Sequence, residues 1–149
     1  MGLFGSLFKG ITSGGNIYAV VQNSVTAECI LMDMAREEKS ELFRTVVDST
    51  IRASGGRMKP ESVLEYFNRK NRLEQLCMIA IALDEDGKWT TSYPSFNSIG
   101  NPFLYTHKVT DTEINMATSN MERVTGRYID IRKPPFNWLQ DFSPVDNDS

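Results

Sequence analysis

The stretch LEQLCMIAIAL, residues 73–83, decides the fold of this chain. Its inner part, residues 76–83, is the longest wholly apolar run in the sequence. That run is far short of the roughly 20 residues that cross a bilayer. Two readings fit it. Leu73, Leu76, Ala80 and Leu83 fall on one face of a helix. The same residues could also form a buried strand that enters a hairpin at DEDG, 84–87, with residues 89–93 returning. Periodicity does not separate the two for so short a run. Alanine, leucine and methionine outnumber β-branched residues here, which favours the helix. The topology hangs on that choice.

Working upstream, NRKNR at 68–72 is entirely polar and predicts a break. Before it, Pro60 stands where a first-turn proline belongs, and Val63, Leu64 and Phe67 mark one helical face. Gly55 and Gly56 end a helix over 40–53 that buries Phe43, Val46, Val47 and Ile51. The charged REEK at 36–39 reads as a solvated bend. A first long helix runs over 17–36, capped by Asn16. Ile17, Val21, Val25, Cys29 and Met32 form its buried ladder, widened by Val20, Leu31, Met34 and Ala35.

Downstream, Ser, Thr, Asn, Gly and Pro dominate residues 90–102, which read as a long loop. Residues 103–110 alternate, with Phe103, Tyr105, His107 and Val109 on one side, and predict a strand. TDTE at 110–113 is a capping box opening a helix with Ile114, Ala117, Met121 and Val124 on one face, closed by Gly126. Residues 128–131 read as a second short strand, ended by Pro134 and Pro135. Phe136, Trp138, Leu139 and Phe142 should clamp the chain's end onto the body. The expected fold is mainly α: a single domain over 14–142, with four or five helices around one core. A small β element in the C-terminal third gives it an α+β tendency. Residues 143–149 read as a flexible acidic tail.

Residues 1–13, MGLFGSLFKGITS, form a separate amphipathic unit. Leu3, Phe4, Leu7, Phe8 and Ile11 share one helical face, while Gly2, Gly5, Ser6, Lys9 and Gly10 fill the other. Each glycine costs about 1 kcal/mol relative to alanine in a helix, so this segment should order only by docking on something. Three outlets compete: the protein's own core, a partner's groove, or a membrane interface. Residues 1–6 also fit the loose N-myristoylation pattern.

The chain of 149 residues carries a net charge of −3, which argues against a dedicated nucleic-acid binder. The charge is uneven. Arg57, Lys59, Arg69, Lys70 and Arg72 cluster around the break near residue 70 and make an anion-binding candidate. The alternative is a solvated polar face. Cys29 and Cys77 each sit in an apolar stretch and read as buried free thiols in a reducing compartment. Residues 1–9 lack a basic n-region and a long apolar h-region, so the expected address is cytoplasmic.

The residues that usually carry catalysis are sparse. With His107 as the single histidine, neither an HExxH motif nor a two-histidine metal site can be built. A Cys–His nucleophile would need a thiolate inside an apolar run, at high cost. GSLFKGIT at 5–12 has the glycine spacing of a phosphate loop, but Ile11 stands where its lysine belongs. DEDG at 84–87 lacks the calcium-loop pattern, with Ala82 and Tyr93 at ligand positions. Over residues 80–89 the chain resembles the helix and acidic loop of tellurite-resistance TerB-type domains. It departs from them at 90–95, which carry no acidic residue. Glu37, Glu38, Glu41 and Asp48 lie among lysines and arginines at solvated helix spacing and read as an outer face.

No catalytic residue, metal site or cofactor is assigned on this reading. The leading expectation is a non-enzymatic protein-interaction module (an adaptor, inhibitor or immunity-type partner) using Leu3, Phe4, Leu7, Phe8 and Ile11. The alternative is a peripheral membrane-associated accessory protein anchored by residues 1–11. The third is a small enzyme with a histidine-independent site.

Overall fold

The computed structural model describes residues 17–87 and 109–141. Residues 73–83 are helical throughout, within α4 (Arg72–Asp86). Local chemistry closes both ends of that helix. The Asn71 side chain accepts from the Glu74 N–H at 2.9 Å, and the Glu74 carboxylate accepts from the Asn71 N–H at 3.4 Å. At the other end Gly87 takes the left-handed conformation (φ 71°) that a side chain would resist. Among the described residues there are four more helices: α1 (Ile17–Asp33), α2 (Arg36–Ala53), α3 (Pro60–Asn68) and α5 (Asp111–Thr125). A six-residue 3₁₀ segment, Phe136–Asp141, follows.

The packing order differs from the chain order. α1 packs against α5 on one side and α4 on the other, α4 also packs against α2, and α2 carries α3. The row therefore reads α5–α1–α4–α2–α3. α4 is wedged between two helices that precede it in the sequence. Its direction follows from two cross-contacts, Ser24 to Cys77 and Glu28 to Arg72, which make it antiparallel to α1. Contacts from α1 to α5 and the segment after it advance together, from Gln22–Asn120 to Asp33–Arg127, so those two helices run parallel. One core spans the row, including Val25, Ile30, Val46, Leu76, Leu83, Ile114, Met121 and Leu139. A smaller apolar cluster of Met58 and Val63 seats α3.

Several boundaries depart from expectation. α1 ends at Asp33 rather than 36, and residues 36–39 form the first turn of α2 instead of a bend. The break falls on Met34 and Ala35. The reason is electrostatic. Glu37 and Glu38 sit at the positive end of the helix dipole, and the Glu38 carboxylate accepts from the Ala35 N–H at 3.1 Å. Met32, Leu64 and Val124, expected on buried faces, are exposed, and so is Ala35. The break at 69–71 falls within the polar stretch that predicted it.

Among the described residues there is no strand. Residues 128–131 alternate because Ile129 turns into the core while Tyr128 points outward, not because a neighbouring strand pairs with them. The strand expected at 103–110 lies outside the described residues except for Val109, which is buried, and Thr110, the cap of α5. That cap follows the predicted box: Thr110 Oγ1 accepts from the Glu113 N–H at 3.1 Å, and the Glu113 carboxylate accepts from the Thr110 N–H at 2.9 Å. Phe136, Trp138 and Leu139 are buried against the body as anticipated, and Phe142 lies outside the described residues. Among the described residues no helix is long and apolar enough to cross a membrane.

Candidate functional site

The polar groups worth following as a site lie inside α1. Residues 19–30 are buried throughout, and among them are Gln22, Asn23, Ser24, Thr26 and Glu28. A helix buried all round is normally apolar all round. Here most of these polar side chains reach a named partner. Ser24 and Thr26 each donate back to a backbone carbonyl one turn earlier, at 2.8 Å. Ser24 also lies 3.4 Å from the Cys77 sulfur on α4, and Thr26 meets the Met121 sulfur on α5. Gln22 Oε1 accepts from Asn120 Nδ2 at 2.9 Å.

The strongest of these contacts is ionic. Glu28, with a side chain 5% exposed, takes a two-pronged contact from Arg72 at 2.7 and 3.0 Å. Such a fork is shorter and stronger than a neutral hydrogen bond. Arg72 keeps 38% of its own side-chain surface open to solvent. The pair therefore spans from interior to surface at the first turn of α4. Its chemistry is charge neutralisation and helix registration.

This pairing redistributes the basic cluster. Arg72 has its guanidinium occupied by Glu28. Lys70 places its ammonium 4.6 Å from the centre of the Tyr66 ring, and Arg69 sits 3.9 Å from Glu65 on the open surface. Arg57 and Lys59 are exposed just before α3, whose nine residues span about 13 Å. The five cations thus occupy the two ends of α3 instead of one spot. Glu37, Glu41 and Asp48 are exposed and Glu38 is half-buried, the outer face the spacing implied.

Both cysteines are buried free thiols. Burial pushes Cys77 up to about 12, partly offset by its contact with Ser24. Burial raises Cys29 to about 11 against the opposing field of Arg127. Thiols held so far above neutral pH are protonated and poor nucleophiles. The Tyr66 phenol is also driven upward, chiefly by burial and secondarily by Glu74. Among the described residues no group of three or more His, Cys, Asp or Glu side chains is arranged to hold a metal ion.

One surface feature went unread in the sequence. Where the C-terminal ends of α1 and α5 meet, Met32 (49% exposed), Val124 (38%) and Tyr128 (80%) stand in solvent around the Asp33–Arg127 ion pair. The buried polar side chains of α1 were missed as well. Their signal was present: a glutamate and four uncharged polar residues inside the apolar ladder of 20–30. The N-terminal stripe of Leu3, Phe4, Leu7, Phe8 and Ile11, and His107, lie outside the described residues. No family model, curated protein or solved structure matches the chain.

Proposed function

We propose that this protein is a non-enzymatic binding partner of another protein, an adaptor, inhibitor or immunity-type factor acting in the cytoplasm. Its contact is the stripe Leu3, Phe4, Leu7, Phe8 and Ile11. The observation that carries this reading is the stripe itself: five large apolar side chains at helical spacing, in a segment with glycines at 2, 5 and 10. Such a segment gains little from helix propensity and gains most when its apolar face enters a groove. The body supports the reading from the other side. α1, α4 and α5 share a core with one another, and Ala19, two residues into α1, is already buried. The stripe precedes α1 in the sequence.

The test uses full-length protein and the double variant Phe4→Ser/Phe8→Ser. The captured partner is purified and its affinity for each form measured by calorimetry. At least a tenfold loss of affinity is expected in the variant, with an unchanged thermal melt. Equal affinity for both forms would overturn the stripe as the contact. Sedimentation with anionic vesicles that depends on the same two phenylalanines, without a protein partner, would move the function to the membrane surface.

A further inference from the structure

We draw no further inference here: the strongest candidate, the exposed apolar patch of Met32, Val124 and Tyr128 where the ends of α1 and α5 meet, carries nothing because the structure does not show what covers it.

Discussion

α1 and α4 lie side by side in the middle of the row, yet they earn their places by different means. α4 buries Leu73, Leu76, Cys77, Met78, Ile79, Ala80, Ala82 and Leu83, an almost wholly apolar surface. α1 buries Val20, Val21, Val25 and Ile30 together with Gln22, Asn23, Ser24, Thr26 and Glu28. Apolar packing is forgiving of shape-preserving exchange. Buried polar contacts are not, because a group deprived of its partner bears its full desolvation cost. The comparison teaches that α4 supplies the adhesive while α1 fixes which side chain faces which.

The largest effect should come from removing the ion pair that joins the two helices. Arg72→Met leaves the Glu28 carboxylate buried without its counter-charge, which costs about 3 kcal/mol. A swap of similar modesty wholly within the apolar surface, Leu83→Met, should cost less than about 1.5 kcal/mol. Urea denaturation of both variants decides the matter; equal losses would break the distinction between the helices. Next in size is Asn120→Ala, which removes the donor to Gln22 Oε1. A loss of about 1–2 kcal/mol is expected by the same measurement.

A pH series sharpens the α4 side. The Cys77 thiol is raised from 9.0 to about 12 in the folded protein, so the folded chain holds its proton where the unfolded chain releases it. Stability from this group is complete below about pH 9 and declines as pH climbs towards 12. Between pH 7.5 and 10 the parent should lose about 1 kcal/mol more than Cys77→Ala. Parallel pH profiles for the two proteins would contradict it. The smallest effect is a gain. Ala35 holds extended cap geometry (φ −69°, ψ 161°) without a capping side chain. Ala35→Ser should stabilise α2 by about 0.5–1 kcal/mol, read as a rise in melting temperature.

These cases also show what the sequence could disclose. The helix over 73–83, the box at Thr110 and Glu113, and the break around residue 70 are local signals, set by composition and by partners three residues away, and they were legible. By its charge REEK reads as a bend, while the helix dipole turns Glu37 and Glu38 into a reason for α2 to begin there. Met32 and Val124 obey helical periodicity and still face solvent, each in the last turn of its helix; periodicity fixes a face but not how far a neighbour extends. The alternation at 128–131 reads as a strand because a strand and a single inward-turning side chain leave the same short pattern. Of the candidate site, the basic residues were visible as a cluster in the sequence. The diversion of Arg72 to Glu28, a residue 44 positions away, depends on the antiparallel seating of α4 on α1 and could not be read locally.

The seating of α4 has a consequence for how the molecule is made. A nascent chain emerges with α1, α2 and α3 first, but the surface that α1 and α2 share arrives only with residues 72–86. Until then the two helices have no common core to close, and Glu28 waits for its arginine. A chain truncated before Arg72 lacks the mid-sequence helix against which both α1 and α2 pack. The last helix in the row, α5, packs on α1, whose other side α4 covers.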